Sequence, residues 1–238
     1  AIDQSTQGTK AILFDVDGTL LDFLAAEYNS IKKSFEKFNL GKFTDEKVSA
    51  YSKINLKHWE MLERGEIDKK QVMHLRFVEF LKYLGADTSM ADEVNTYYEN
   101  SIPDTIEYID NAYNVCFKLS ENYDLYCVTN GAKAVQRKRL SLSKLDNLFK
   151  DIFISDEIGF EKPSADFFAP LLNEVECEKS EILIVGDSLT SDMRGGNNIG
   201  IKCCWYNQHH NENDSDIRLD YEIHNLDEIF AVLECENK

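Results

Sequence analysis

The 238-residue sequence has no long hydrophobic run, no C-x-x-C motif and too few basic residues to balance its acidic ones. No apolar stretch approaches the roughly 20 residues that a membrane-spanning helix needs, so we expect no membrane span. Its 26 lysines and arginines stand against 43 aspartates and glutamates, which gives a net charge of −17. A surface this negative repels a nucleic-acid backbone and an anionic membrane, so we expect neither as a partner.

The six cysteines lack the C-x-x-C spacing that is typical of zinc and redox sites. Most of them lie in apolar segments, which predicts reduced thiols in the core of a cytoplasmic protein. Residues 1–9 are polar, lack the apolar stretch of a secretion signal and are expected to form a flexible leader. With 43% hydrophobic and 11% aromatic residues, the chain has enough apolar material for a folded core.

Five short apolar runs have the length of strands in a parallel sheet that is covered on both faces. They are residues 11–14, 125–128, 152–154, 182–185 and 201–205. Helical periodicity predicts helices over 164–175 and 226–233. It predicts a further helix over 106–119, beginning at a capping box of Asp104 and Glu107. Strands alternating with helices predict an α/β fold with a doubly wound, Rossmann-like parallel sheet.

The interval between the first two predicted strands is far too long for one helix. A plain strand–helix–strand unit takes about 30 residues, so roughly 80 residues are inserted here. The insert has no strand-like run, and its apolar residues follow helical spacing around 28–38 and 72–84. We therefore predict a helical domain at 23–101, inserted into an α/β domain made of 1–22 and 102–238.

Acidic side chains follow two of the predicted strands directly. Asp15 and Asp17 come after the first strand, and residues two apart in an extended segment project to the same side. Asp187 ends the fourth strand, and Asp192 follows five residues later. Carboxylates clustered at this edge of an open α/β sheet suit Mg²⁺. The structural alternatives are an Asp-Gly turn at 17–18 and a helix-start carboxylate at Asp192.

Neutral and basic groups complete the pattern at the strand ends. The second strand ends in Thr129 and Asn130, whose hydroxyl and amide can donate to phosphate oxygens, although both residue types are also common at helix starts. Lys162 precedes Pro163, which favours an extended lysine whose amine points away from the following helix. A single lysine is usually a solvated surface residue, so a functional interpretation of Lys162 depends on the other motifs.

This ordered set of motifs resembles the haloacid dehalogenase superfamily of phosphotransferases over the whole α/β domain. The insert lies where that superfamily places its α-helical cap. Further residues are similar to those of the bacterial pyrimidine 5′-nucleotidases of the YjjG/YfnB type. They are Asn55, Trp59, Gly65, Arg76, Phe77, Asp192, Gly195, Gly196, Asn198, Gly200, Trp205, Asn207, His209 and His210.

The resemblance implies a phosphomonoester hydrolase that uses one Mg²⁺ ion, held by Asp15, Asp187 and the backbone carbonyl of Asp17. Asp15 would attack phosphorus and form an aspartyl phosphate. Asp17 would protonate the leaving oxygen and then activate water. It must be protonated at the first step, so burial and acidic neighbours should raise its pKa.

The resemblance also implies how a substrate is held. Thr129, Asn130 and Lys162 would bind the phosphoryl oxygens, and Asp192 would orient Lys162 or a metal-bound water. The cap would exclude water, which favours a small phosphate monoester such as a nucleoside monophosphate. Candidates for base recognition are Phe23, Tyr28, Asn55, Trp59 and Arg76. For each aromatic residue, packing inside the helical domain is the alternative.

Several alternatives stay open at the level of the sequence. A sugar-phosphate phosphatase, such as acylneuraminate 9-phosphatase, shares the glycine-rich region at 195–200, and a phosphomutase uses the same aspartyl phosphate. A haloacid dehalogenase is disfavoured because it has no use for a proton donor at position 17. A receiver-type signalling domain is much shorter and has no insert. A non-catalytic phosphate-binding protein would be expected to lack some of the polar positions that are filled here.

Overall fold

The computed structural model describes residues 8–236 and divides them into two compact units. One consists of residues 8–22 and 108–236, and the other is Phe23–Glu107. The sequence placed the second boundary between 101 and 102. The segment that follows stays with the helical unit because Asp104 pairs with Lys33 at 2.7 Å and Thr105 accepts a hydrogen bond from Asn29 at 3.1 Å.

The larger unit is built on one six-stranded parallel sheet with the strand order β3-β2-β1-β4-β5-β6. The strands are β1 (Ala11–Phe14), β2 (Asp124–Thr129), β3 (Asp151–Ile154), β4 (Ile182–Gly186), β5 (Lys202–Tyr206) and β6 (Tyr221–Ile223). The predicted doubly wound fold is confirmed, and the five predicted strands agree within one residue at each end. The sequence missed β6 because three residues are too few to show an alternation.

Ten helices accompany these strands in residues 8–236. They are α1 (Phe23–Phe38), α2 (Asp45–Glu63), α3 (Lys69–Leu84), α4 (Ala91–Ser101), α5 (Ala112–Ser120), α6 (Lys133–Leu142), α7 (Ser155–Ile158), α8 (Ala165–Glu174), α9 (Arg194–Ile199) and α10 (Ile229–Glu236). Short 3₁₀ turns are interspersed, and one of them, Leu226–Glu228, takes the start of the predicted helix at 226–233.

The predicted helix over 106–119 is wrong in its first half, because α5 begins only at Ala112. Its proposed capping box is absent, since Asp104 ends a 3₁₀ turn and Thr105 is extended. The backbone of the next residues is used elsewhere: the Ile109 amide donates to the Leu20 carbonyl at 3.0 Å. This long-range pairing competes with helix formation and leaves no trace in the local periodicity.

The helical unit has an aromatic core between α2, α3 and α4. Tyr51, Phe77 and Tyr98 are almost fully buried, with ring centroids 5.0 to 5.3 Å apart. Helix α3 starts at a capping box between Asp68 and Gln71, and Gly85 ends it in a left-handed conformation. Local signals therefore set the limits of this helix, and apolar packing fixes its partners.

The strand register places the chemically important residues at one edge of the sheet. Phe14 of β1 lies beside Cys127 of β2 and Val185 of β4. Because all strands are parallel, the residues that follow these three strands emerge at the same edge. From β1 the chain first adds β2 and β3 on one side of the sheet and then adds β4, β5 and β6 on the other. Open α/β sheets bind their ligands at such a switch point in strand order.

The described residues also bear on the predicted cellular setting. All six cysteines are free thiols, as the sequence predicts. Over residues 8–236, no helix is both long and apolar enough to cross a membrane. The predicted flexible leader falls almost wholly outside the described residues, but Thr9 is anchored: its backbone amide donates to the Glu236 carboxylate at 3.0 Å. A cytoplasmic location stays a prediction.

Candidate active site

Three carboxylates meet where β1 and β4 end. Asp15, Asp187 and Asp192 each offer an oxygen, and these oxygens lie within 4.8 Å of one another. Asp15 and Asp192 are buried, whereas the side chain of Asp187 reaches solvent. The structure therefore brings together two of the predicted metal ligands and Asp192, which was predicted to orient Lys162 or a metal-bound water.

Lys162 supplies the positive charge inside this cluster. Its ammonium lies 2.8 Å from Asp15 Oδ1, 2.7 Å from Asp192 Oδ1 and 2.9 Å from the Val128 carbonyl oxygen. These three acceptors match the three hydrogens of the ammonium group. Lys162 is only 1% exposed, so its charge acts on Asp15 with little screening by water.

The loop after β4 holds Asp192 in place. Residues Leu189–Met193 form a short π-helical turn that Ser188 caps, and the Ser188 amide donates to Asp192 Oδ2 at 3.1 Å. One oxygen of Asp192 is thus fixed by the backbone, and the other faces Lys162. This arrangement makes Asp192 a support for the lysine rather than a free helix-start carboxylate.

Burial, reinforced by neighbouring negative charge, raises the pKa of two acids of the cluster, Asp15 and Asp187. Burial raises the pKa of Asp15 well above its ordinary value, and the charge of Asp192 adds to the shift, while Lys162 opposes it. The enclosing protein atoms and the charge of Asp192 raise the pKa of Asp187 to about 7. One ammonium group therefore does not balance the three carboxylates.

This donor set fits a divalent cation of the hard, oxygen-binding type. The carboxylates of Asp15 and Asp187 are close together and poorly compensated, and a cation between them would remove their repulsion. Thr19 ties the two strand ends together, because its hydroxyl accepts from the Asp187 amide at 3.1 Å and lies 3.2 Å from Asp187 Oδ1. Asp15 and Asp187 are the side chains that would hold Mg²⁺.

The turn after β1 needs glycine for two reasons. Gly18 has a φ of +81°, in the left-handed region. A β-carbon at this position would also lie 2.5 Å from Asp187 Oδ2. A β-carbon at position 18 would therefore require the Asp187 carboxylate to shift, so the Asp-Gly pair suits both the turn and the site.

Two side chains of α6 bind the carboxylate of Asp17. Its Oδ2 accepts from Gln136 Nε2 at 2.9 Å, and its Oδ1 accepts from Arg139 Nη1. The hydrogen-bond partners of the Asp17 carboxylate are thus an amide and a guanidinium from α6, which the sequence did not predict. Nothing local in the sequence indicates this pairing, because the partners are more than 100 residues apart.

Thr129 and Asn130 lie at the end of β2, but they are used differently. The Thr129 hydroxyl accepts from Gln136 Nε2 at 2.8 Å. The Asn130 side chain bonds the backbone of Lys162 twice, donating to its carbonyl at 2.9 Å and accepting from its amide at 2.8 Å. In this structure the Asn130 side chain, which was predicted to donate to phosphate, thus holds the backbone before Pro163.

The comparisons with known proteins agree with this geometry. Residues 12–206 match the family described as haloacid dehalogenase-like hydrolase. The chain belongs to this family. The predicted resemblance is confirmed, and the protein is a hydrolase whose site lies at the switch point of its sheet.

Three relatives match the hydrolase over nearly its whole length. YfnB of Bacillus subtilis, named a HAD-hydrolase, is 36% identical over 96% of this chain and 97% of its own. The pyrimidine 5′-nucleotidase PynA of Streptococcus pneumoniae is 32% identical over 96% and 95%. The pyrimidine 5′-nucleotidase YjjG of Escherichia coli is 28% identical over 93% and 96%.

A solved structure of one relative is similar as well. The crystal structure of YfnB from Bacillus subtilis bound to magnesium superimposes with a TM-score of 0.90 at 34% identity, and the match covers 95% of this chain and 99% of that one. The fold of this hydrolase is therefore shared with a relative that binds magnesium.

Two of the predicted base-recognition residues are engaged inside the helical unit of the hydrolase. Arg76 and Asn55 are 2% and 3% exposed. Arg76 donates to Asn55 Oδ1 at 3.1 Å and to Glu99 Oε1 at 3.0 Å, and Asn55 donates to Glu27 Oε2 at 2.9 Å. These contacts make Asn55 and Arg76 parts of a buried polar network that joins α1, α2, α3 and α4.

The three aromatic candidates are more accessible. Phe23 and Trp59 are half-buried, and Tyr28 is 37% exposed. The Tyr28 hydroxyl donates to Asp45 at 2.8 Å, and its ring meets Phe43 edge-on at 5.4 Å. A role of these residues in base recognition stays a prediction.

Replacing Arg76 by methionine is expected to destabilise the protein by about 3 kcal/mol at pH 7, because it leaves Glu99 and the buried Glu27 without their cation. Urea unfolding measures this loss. The same change at Arg64, which is 54% exposed and pairs with Glu66, should leave the unfolding midpoint nearly unchanged. Equal midpoints for the two variants would show that the network contributes little.

Proposed function

We propose that this hydrolase removes phosphate from small phosphate monoesters through an aspartyl phosphate on Asp15, and that its substrates are pyrimidine nucleoside 5′-monophosphates. The observation that carries the proposal is the position of Asp15: it is buried, bonded to the Lys162 ammonium at 2.8 Å, and adjacent to two further carboxylates at the ligand-binding edge of the sheet. A carboxylate held in this way is a nucleophile for a dianionic phosphoryl group once the surrounding charge is balanced.

The residues of the chain divide the chemistry between them. Asp15 attacks phosphorus, a new bond forms between its oxygen and phosphorus, and the bond to the nucleoside oxygen breaks. Asp17 gives a proton to that leaving oxygen and afterwards takes one from the water that hydrolyses the ester. Bound Mg²⁺, held by Asp15 and Asp187, would neutralise charge on the phosphoryl group as a Lewis acid.

Lys162 stabilises the charge that develops on the transferred group. Two of its three hydrogen bonds go to Asp192 and the Val128 carbonyl, so the ammonium stays in place whatever happens at Asp15. The third points at the nucleophile itself. The preorganised cation therefore needs no rearrangement during the reaction, which is the condition for efficient electrostatic stabilisation.

The preference for pyrimidine nucleotides is supported by the relatives. PynA and YjjG are named pyrimidine 5′-nucleotidases, and each matches more than nine tenths of this chain. A sugar-phosphate phosphatase would use the same aspartate, lysine and metal ligands. The difference between the two functions would lie in substrate recognition and not in the chemistry.

Phosphate release from a panel of nucleoside monophosphates and sugar phosphates tests the proposal. We expect release to be strongest with pyrimidine deoxynucleotides and to fall at least about hundredfold when EDTA removes Mg²⁺, because the metal contributes several kcal/mol to the transition state. Restoring Mg²⁺ should restore the rate.

The panel separates two kinds of failure. If sugar phosphates are hydrolysed about ten times faster than every nucleotide, the nucleotidase assignment is wrong and the mechanism stands. If no monoester is hydrolysed with Mg²⁺ present, the chain is a non-catalytic phosphate-binding protein on this fold.

A further inference from the structure

Two side chains of α6 hold the carboxylate of Asp17 from one side. Arg139 Nη1 donates to Oδ1, and Gln136 Nε2 donates to Oδ2 at 2.9 Å. Both donor residues are 1% exposed, whereas the side chain of Asp17 is 29% exposed. The carboxylate is therefore fixed on its protein side and accessible on the other.

The two donors are themselves fixed. Gln136 Nε2 also donates to the Thr129 hydroxyl at 2.8 Å, and Gln136 Oε1 accepts from Arg139 Nη1 at 3.1 Å. The two residues are three positions apart on α6 and so share one face of the helix. The contacts link the ends of β1 and β2 to α6 through Asp17 and Thr129.

Gly131 makes room for this arrangement. A β-carbon at position 131 would lie 2.3 Å from Gln136 Cγ and 2.5 Å from its Cδ, which is too close for any real contact. The conformation of Gly131 itself does not require glycine, because its φ is not positive. The glycine of the Thr-Asn-Gly segment is thus explained by the space that the Gln136 side chain occupies.

A buried guanidinium is costly unless it is paired, so its placement is informative. Removing an ion from water is unfavourable, and an ion pair with additional hydrogen bonds offsets this cost. Arg137, on the same helix, shows the ordinary alternative: it pairs with Glu157 at 2.7 Å and stays 44% exposed. Arg139 instead is buried and pairs with Asp17.

We propose that Gln136 and Arg139 are positioning residues that hold Asp17 in the orientation from which it exchanges a proton with the leaving group. This inference rests on the proposed function of Asp17 as acid and base. A carboxyl group has two lone pairs on each oxygen, so one donor to each oxygen leaves sites for the proton in transfer. Orientation is what the two donors supply, and proton transfer is sensitive to it.

Leaving-group dependence distinguishes a positioning role from a structural one. The 5′-oxygen of a nucleoside is a poor leaving group and needs a proton, whereas p-nitrophenolate leaves without one. The ratio kcat/KM covers only the steps up to formation of the aspartyl phosphate, so the later hydrolysis does not obscure the comparison. Misplacing Asp17 should therefore lower kcat/KM for the nucleotide and spare the aryl phosphate.

The experiment compares Gln136→Met and Arg139→Lys with the wild type, using uridine 5′-monophosphate and p-nitrophenyl phosphate with Mg²⁺. We expect kcat/KM for the nucleotide to fall about tenfold to hundredfold, which is part of the roughly 10²- to 10⁴-fold that acid–base catalysis supplies as a whole. For p-nitrophenyl phosphate it should change less than about threefold, on the same principle. Arg137→Lys is the matched control, with the same substitution two residues away on the same helix, and should change neither value.

Each outcome decides the inference. Equal losses with both substrates would overturn it, because a structural defect lowers both rates together; so would unchanged values with both. If Arg139→Lys fails to fold, Gln136→Met decides alone, since it keeps the volume and the neutrality of the side chain. If the wild type releases phosphate from neither substrate, the proposed function fails first and this inference with it.

Discussion

Replacing Asp15 by asparagine is expected to abolish phosphate release and to leave a folded protein. The amide has the shape of the carboxylate but cannot form the phosphoryl ester, so turnover should fall by at least about 10⁴-fold. In this variant Lys162 keeps two of its acceptors, Asp192 and the Val128 carbonyl. The substitution also removes one of the negative charges that repel one another in the cluster. Phosphate release and urea unfolding measure the two effects.

The same substitution at Asp124 is the control. Asp124 lies beside Ala11 at the opposite end of β2 and pairs with Lys150 at 2.7 Å on the surface. Its replacement by asparagine should leave turnover normal. Substantial turnover by the Asp15 variant would remove the covalent mechanism, whereas an unfolded Asp15 variant would show that the carboxylate is needed for the fold.

Replacing Lys162 by methionine is expected to lower activity and to make stability strongly dependent on pH. Loss of one preorganised cation should reduce turnover by about 10²- to 10³-fold. Burial alone would lower the pKa of Lys162, but the charges of Asp15 and Asp192 outweigh it and raise the pKa above its ordinary value. In the wild type the ammonium is therefore fully charged throughout the pH range 5 to 8.

In the Lys162→Met variant the carboxylates of the cluster have lost this cation. Their repulsion is then relieved when one of them takes up a proton. The pKa of Asp187 is already raised to about 7, and that of Asp15 is raised too, against about 3.9 in an unfolded chain. Between pH 4 and the raised values the folded protein thus binds more protons than the unfolded chain, so stability falls as the pH rises.

Urea unfolding at two pH values, without Mg²⁺, tests this prediction. At pH 8 the Lys162→Met variant should lose about 3 to 5 kcal/mol of unfolding free energy, and at pH 5.5 distinctly less. Lys150→Met, an exposed lysine that also pairs with an aspartate, should behave like the wild type at both values. A loss of the same size at pH 5.5 and pH 8 would contradict the prediction that the carboxylates of the variant take up protons as the pH falls.

The parts of the site that were predictable share one feature, which is their position at a strand end. Asp15, Thr129 and Asp187 each follow an apolar run that is long enough to be recognised as a buried strand. Parallel strands bring their carboxyl ends to one edge of the sheet, so strand positions in the sequence are sufficient to bring these side chains together. The Lys-Pro pair at 162–163 was recognisable only in their company.

The parts that were not predictable depend on contacts between distant segments. Asp17 bonds Gln136 and Arg139, on a helix more than 100 residues further along, and this pairing was not predicted. Their spacing of three on one helix face is visible in the sequence, but nothing local indicates which group that face meets. Asn55 and Arg76 were expected to contact a base and prove to bond each other, because a buried polar network competes with ligand binding for the same donors.

Local apolar periodicity and the order of the polar motifs were enough to predict five of the six strands, the helical insert and the meeting of Asp15, Asp187 and Lys162 at one edge of the sheet. The tertiary structure alone decided the partners of the polar side chains: Asn130 bonds the backbone of Lys162, Asp192 accepts from its ammonium, and Gln136 and Arg139 donate to Asp17. The reason is that a strand end specifies where a residue emerges, whereas hydrogen-bond partners depend on distances of a few ångströms between segments that the chain brings together only when it folds.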